Sequence, residues 1–452
     1  MLLLCCSYVA LIGNRTYNGF CLFSWWYEKN IISLQSRNEN TIMKTAKIYS
    51  ILMMTAILLT STSCVSEKLV PTPCPNNPVA SASFKASTQM AFPLLAKVDS
   101  FAKPNENICI SPISLSEALA MVANGANGNT LRQITNVVGT PDESIEKVSE
   151  VFGTLNKYLA TADESSSVTF ANSIWIDKNI KVKDDFIDKN KELLSAETIN
   201  QELASYETKK NINSWCEQKT NGNIKEFLKE PLSENDDIVL INTLHFKARW
   251  KDEFSKEETK EADFTNYDGS KSKVMMMNMK MEGFACPGKK MDMAIFPYGN
   301  ETFCMEVFLP HEGENLDSCL ANFTAENVEK MENWAAKFDE VNVSMPRMEL
   351  KCETDFSEPL KAMGMTEAFS QNADFSGIND NGGSISKVEQ ATTIKIDEEG
   401  TEAAAVTMDR CYTLSAIMTP RTLDFNMNRP FAYIIREKVS RTILFMGKVR
   451  KL

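Results

Sequence analysis

The sequence predicts an α+β fold in one large domain, and three observations carry that expectation. Helical periodicity dominates the stretch from residue 88 to 220, strand-like patterns dominate from 238 onward, and no linker or internal repeat interrupts residues 87–452. A doubly wound α/β fold would interleave the two periods, whereas here they are segregated. A length of 452 residues suggests about three domains, but no Pro-, Gly- or Ser-rich boundary exists to separate them. One domain is expected.

The elements follow in order. Residues 88–100 carry an apolar face, with Pro93 as a kink-prone guest. Residues 111–122 open with Ser-Pro, a helix-start pair. TLRQ at 130–133 has the capping-box pattern, which predicts a helix starting at Thr130 and ending near Gly139. Residues 143–159, 184–194 and 208–220 are further amphipathic helices, the last stopped by Asn221-Gly222. Strands are expected at 168–175, 238–247, 294–297, 305–309, 341–350, 386–396, 431–435 and 442–449.

Composition removes several function classes. The chain is 43% hydrophobic and 24% charged, an ordinary globular balance. A net charge of −12 with no basic run argues against nucleic acid as a partner. Two histidines, His245 and His311, are too few for a multi-His metal site and poorly placed for a Ser-His-Asp hydrolase. No CxxC pair occurs among the cysteines, so neither a zinc knuckle nor a redox motif is supported, and scattered buried thiols are expected. No cofactor, metal or catalytic residue is assigned.

Short motifs have bland readings. GANGNT at 125–130 follows a helix and lacks the Lys-Ser/Thr of a phosphate loop, so it is a helix–helix turn. Met275, Met276, Met277, Met279 and Met281 are packing filler rather than a soft-metal site. NDNGG at 379–383 lacks the closing Glu of a calcium loop.

The N-terminus is a separate problem. Residues 1–42 have neither a signal nor a core pattern, and are read as an upstream extension, untranslated or non-structural. Residues 43–63 have a signal-peptide layout: two lysines, an apolar run at 48–59, then small residues. Those small residues precede Cys64 and resemble a bacterial lipobox, with Cys64 as the lipidated residue. Leu59 lies further from Cys64 than usual, and Ser61 stands where Leu is common. Residues 64–86 are then anchor and tether, and the membrane is a partner only through the lipid. The expected location is exported: a bacterial outer-membrane or periplasmic lipoprotein, or extracellular. Removing 1–63 leaves the mature chain more acidic still.

One segment is not bland. After the apolar strand ending at Ile396 come DEEGTEAAAVT and MDRCYTLSAIMTPRT before strand character returns at Phe425. A loop of that length inside a compact domain is usually functional. Its small residues also alternate as a strand would, so the segment is a candidate switch between loop and strand.

With that loop in place, the chain resembles a serpin over residues 86–452. NICISPISLSEALAMVANGANGNT, NTLHFKARW, MPRMEL, LKAMGMTEAF, DFSGI and the terminal NRPFAYIIREKVSRTILFMGKV match family patterns in order. The resemblance implies the serpin fold: a large central mixed sheet, smaller sheets, eight or nine helices and an exposed reactive loop at about 398–424. It implies a single-use trap, not an enzyme, acting on serine-type endopeptidases by loop cleavage and insertion of the cut loop into the central sheet. Hinge residues by resemblance are Glu398, Glu399, Gly400, Thr401, Glu402, Ala403, Ala404 and Ala405. Ser111, Ser114 and Asn242 match the shutter, with Gln390 where many members have histidine, and Trp250 matches the breach.

Counting along the loop as the family does puts the reactive bond at Leu414-Ser415, with Tyr412 and Met418 as alternatives. Leucine there suits chymotrypsin-, elastase- or subtilisin-like serine proteases and excludes a trypsin-like Asp pocket; papain-like cysteine proteases are a second target class. Asp409 falls on the inward face of the loop's alternation, where an unpaired carboxylate costs several kcal/mol to bury. A monomer is expected. The alternative function is a non-inhibitory serpin-fold lipoprotein acting as a binding protein or protease substrate. The small, uncharged Thr401 and Ala403–405 favour inhibition.

Overall fold

The computed structural model describes residues 82–380, 382–401 and 420–452. Cys64, Glu402, Ala403, Ala404, Ala405, Asp409, Tyr412, Leu414, Ser415 and Met418 lie outside the described residues. Among the described residues there are nine α-helices, fifteen strands and a single 3-10 turn, an α+β arrangement.

The helices cluster early, for local reasons. α1 (Ala82–Phe101) carries Pro93 within its span. After β1 (Ile108–Ile110) comes α2 (Pro112–Ala123), with proline in its first turn and all twelve residues buried. A helix apolar nearly all round belongs in a core rather than on a surface. α3 (Gly128–Val138) begins at Asn127, three residues before the expected cap, and ends at Gly139 in the left-handed region at φ +84. Thr130 is therefore not a cap. Its hydroxyl donates to Glu367 and accepts from the Asp374 N–H, tying the helix to a distant loop. The turn at 125–127 joins two helices, as its sequence implied. α4 (Ile145–Leu159) is capped by Ser144, which accepts from the Lys147 N–H.

Next follow β2 (Ser166–Asp177), α5 (Asp184–Leu194), β3 (Glu197–Gln201) and α6 (Tyr206–Lys219), which is capped by Ser205. From β4 (Ile238–Arg249) onward strands dominate: β5 (Ser255–Thr265), β6 (Lys271–Cys286), β7 (Met291–Pro297) and β8 (Phe303–Pro310). Two helices, α7 (Leu316–Cys319) and α8 (Ala325–Trp334), precede β9 (Ala336–Pro346) and β10 (Met348–Asp355). The single strand expected at 341–350 is thus two, broken at Arg347, and each half joins a different sheet. The chain closes with α9 (Ser357–Ala362), β11 (Ile385–Ile396), β12 (Gly400–Thr401), β13 (Thr422–Asn426), β14 (Phe431–Glu437) and β15 (Ile443–Val449).

The strands make two sheets. A nine-stranded one runs β1-β15-β14-β8-β7-β6-β9-β13, with β5 on β6. A mixed six-stranded one runs β10-β11-β12-β4-β2-β3. Alternation along β4 divides its side chains between two cores. Ile238, Leu240, Leu244, Phe246 and Ala248 face the main core, which α2 also fills. Val239 and Ile241 face a smaller cluster under α6, with Trp175, Ile212, Trp215 and Ala391. Met276, Met277, Met279 and Met281 are buried in β6 as packing, and Met275 is exposed.

Candidate functional site

The site lies between β4 and β11. Their direct parallel pairing runs from Ile385–Ile238 to Thr392–Leu244 and stops there. Above that point β12 enters between them, antiparallel to both. Thr401 pairs with Ile396 on one side and with Ala248 on the other, and Gly400 pairs with Arg249. A strand two residues long therefore holds apart two strands that touch lower down.

The turn that delivers β12 is tightly built. Asp397 accepts from the Glu399 and Gly400 N–H groups through its carboxylate, and its own N–H donates to the Gly400 carbonyl at 3.0 Å. Gly400 sits at φ +153, and a Cβ there would meet the Ala248 carbonyl oxygen at 2.2 Å. Only glycine allows the chain to approach β4 this closely.

Trp250 packs directly below this turn. Its indole N–H donates to the Asp397 carbonyl at 3.0 Å, and its backbone N–H donates to the Glu399 carbonyl at 2.9 Å. The ring stacks on Tyr298 at 4.4 Å between centroids, with Phe254 and Phe296 edge-on. The Tyr298 hydroxyl is 2.9 Å from the Thr401 hydroxyl. Burial pushes the Tyr298 phenol up, so it remains a protonated partner. Thr401 itself is only 2% exposed.

Glu398 is held by Arg347 and by the Thr259 hydroxyl at 2.8 Å. Burial opposes its ionisation, but those hydrogen bonds outweigh it and hold the carboxyl below its ordinary range. Glu399 pairs with the exposed Lys256.

Lower on the same strands lies a buried polar chain. Gln390 accepts from the Ser111 N–H at 2.7 Å and donates to the Ser111 carbonyl at 3.1 Å and to Asn242 Oδ1 at 2.9 Å. Asn242 donates to Asn172, which donates to Glu117 Oε2 at 2.8 Å. Asn156 donates to the same oxygen at 3.0 Å. Burial raises the Glu117 carboxyl to about 8, partly offset by those two amides. Ser111 takes part through its backbone. Ser114 is buried on α2, and neither serine hydroxyl has a hydrogen-bond partner among the described residues.

Of the residues expected at this site, Glu398, Glu399, Gly400, Thr401 and Trp250 meet at the upper end, and Ser111, Asn242 and Gln390 meet lower down. Sequence reasoning missed Tyr298, Arg347 and Thr259 above, and Asn172, Glu117 and Asn156 below. Arg347 stood inside MPRMEL with no role. The polar residues were visible only as exceptions in apolar runs. His311 is bonded to Asp292 at 2.9 Å, away from these strands, and His245 is buried within β4.

The sequence profile described as Serpin (serine protease inhibitor) matches residues 85–452. The leukocyte elastase inhibitor of Bos taurus is 32% identical over 359 residues, covering 76% of this chain and 93% of that protein. Two solved structures are similar. Tengpin, a thermophilic serpin in its native state, has a TM-score of 0.73 at 29% identity, over 84% of this chain and 97% of that one. Human thyroxine-binding globulin with its hormone has a TM-score of 0.75 at 27% identity, over 82% of this chain and 99% of that one.

Proposed function

Because this chain belongs to the serpin family, a family of protease inhibitors rather than enzymes, we propose that it is a single-use trap for serine-type endopeptidases. The observation that carries the reading is β12: it is paired antiparallel with β4 through Gly400 and Thr401 and with β11 through Thr401. Continuing that register down the strands sets Ala403 between Phe246 and Ile394, and Ala405 between Leu244 and Thr392. Thr407 then reaches Asn242 and Gln390. Small side chains fall where the core is already full, which favours entry.

The chemistry belongs to the protease. Its serine oxygen attacks the carbonyl carbon of Leu414, the bond to Ser415 breaks, and the new amine takes the proton, leaving an acyl ester. The freed segment 401–414 then enters the sheet, hauling the acyl group roughly 45 Å at ~3.3 Å per residue. Hydrolysis of the ester is outrun. The bait is the Leu414-Ser415 bond, with Tyr412 and Met418 as neighbouring choices, and the targets are chymotrypsin-, elastase- or subtilisin-like enzymes. Incubating the mature chain with a panel of such proteases should give SDS-stable complexes of one chain with one protease. Full cleavage by every protease with no stable complex would contradict trapping.

Asp409 favours a second reading. The same register sets it between Leu240 and Val388 in the main core, where its carboxylate would have to be protonated or paired. If insertion stalls there, the protein is cleaved without trapping, as a non-inhibitory binding protein or substrate. Asp409→Ala converting a substrate into a trap would identify that case.

The protein acts as a monomer in this reading, exported and tethered through a lipid on Cys64. Detergent-phase partitioning of the chain expressed from Met43 should be lost in Cys64→Ala. Equal aqueous partitioning of both would contradict lipidation.

A further inference from the structure

Two cysteines from different sheets lie near each other on the β11 side of the sheet gap. Cys109 lies on β1, in the nine-stranded sheet, and is fully buried. Cys352 lies on β10, at the edge of the six-stranded sheet, and lines an open cleft of about 800 Å³ with Phe101, Asn107 and Lys351. The Thr392 hydroxyl is 2.8 Å from the Cys109 carbonyl oxygen and 3.4 Å from that of Cys352, so one side chain spans both backbones. The Cys352 thiol lies 3.7 Å from the carbonyl oxygen of Asn107, two residues before Cys109. The neighbouring Cys109, together with burial, pushes the Cys352 thiol up.

We propose that Cys109 and Cys352 form a disulfide that ties β1 to β10. Such a bond needs a Cα separation of about 4.4–6.8 Å, and here β1 and β10 run side by side with one Thr392 hydroxyl reaching the carbonyls of both cysteines. The electrons go to an external disulfide of the glutathione class. Cys352, the thiol reached from the cleft, loses its proton as it attacks one sulfur of that disulfide and releases the first thiolate. The Cys109 thiolate then attacks the Cys352 sulfur and releases the second, and the two protons lost from the protein end on the two released thiols.

The placement gives the bond a consequence. β10 is paired along its length with β11, one of the two strands that β12 holds apart. A covalent tie from β10 to β1 fixes that side of the gap to the second sheet, so that only the β4 side can move away. All six cysteines among the described residues, these two with Cys216, Cys286, Cys304 and Cys319, are free thiols in this structure.

The test uses the mature chain purified with reductant, then exposed to oxidised glutathione, quenched in acid, alkylated under denaturing conditions and mapped by mass spectrometry. The proposal predicts a linked peptide pair containing Cys109 and Cys352, lighter than the free pair by the mass of two hydrogens. It also predicts a melting temperature several degrees higher, restored by reductant and unchanged by oxidant in Cys352→Ser or Cys109→Ser. Should the folded chain prove inaccessible, the same oxidant supplied during refolding must give the same link. Alkylation of both thiols after both treatments, or a stable glutathione adduct on Cys352 with Cys109 still free, would overturn the proposal.

Discussion

The two ends of the β4–β11 strand pair are built from different materials. At the lower end the strands pair directly and are crossed by a chain of buried amides, from Ser111 through Gln390, Asn242 and Asn172 to Glu117. At the upper end they are separated by β12 and held by an aromatic stack and by an ion pair between the buried Glu398 and the exposed Arg347. A buried amide chain has discrete partners, and removing one orphans the next. An aromatic stack holds through packing area and has no single polar partner to orphan. The difference bears on the proposed insertion: a segment continuing β12 would start from the aromatic end and would have to displace polar partners further down.

The largest expected effect comes from breaking the upper end. Thr401→Arg puts a permanent charge where the side chain is now buried against Tyr298. In the proposed trap, insertion races ester hydrolysis, and each ~1.4 kcal/mol added to its barrier slows it about tenfold. The mutant should still be cut at the same bond, yet release active protease and lose covalent complex by two or more orders of magnitude. Leu414→Arg is the control: trapping should survive while preference moves to trypsin-like proteases. Protease titration with quantified complex bands reads both.

The lower end should respond to pH. The Glu117 carboxyl is raised from 4.5 to about 8 in the folded chain. Between those values the folded state keeps a proton that the unfolded state has lost, so stability falls as pH rises through that window and levels off above it. The slope is at most about 1.4 kcal/mol per pH unit. Denaturant melts from pH 5 to 9 should show the decline, and Glu117→Gln should flatten it.

A smaller effect follows from Gln390→Ala, which leaves the Ser111 N–H and the Asn242 side-chain oxygen without their present partner. The expected loss is about 1–3 kcal/mol by chemical denaturation. Smallest of all, Lys256→Ala removes an exposed partner of Glu399 and should leave the melting temperature unchanged. A large loss there would mean that surface charge, rather than the aromatic stack, holds the upper end.

This contrast was only half legible in the sequence. Long periodic segments announced themselves: α5 was expected at 184–194 and occurs as Asp184–Leu194. The break at Arg347 was hidden because both halves of 341–350 carry strand periodicity, and only the partner strands distinguish them. β5 is charged at alternate and adjacent positions and gives no apolar face to recognise. The capping-box pattern at Thr130 competed with tertiary hydrogen bonds to Glu367 and Asp374 and lost. For the site, Gly400, Thr401 and Trp250 stood out by family pattern. Tyr298 and Glu117 did not, since their roles depend on which strand and helix lie opposite.

Comparing melting temperatures of the intact mature chain and the chain cleaved only within residues 408–418 tests the central claim most directly. If the cut segment continues β12 down between β4 and β11, it satisfies backbone groups along both strands and stability rises, so the cleaved chain should melt well above the intact one. An unchanged or lower melting temperature after that single cut would contradict insertion, and with it the proposed trap.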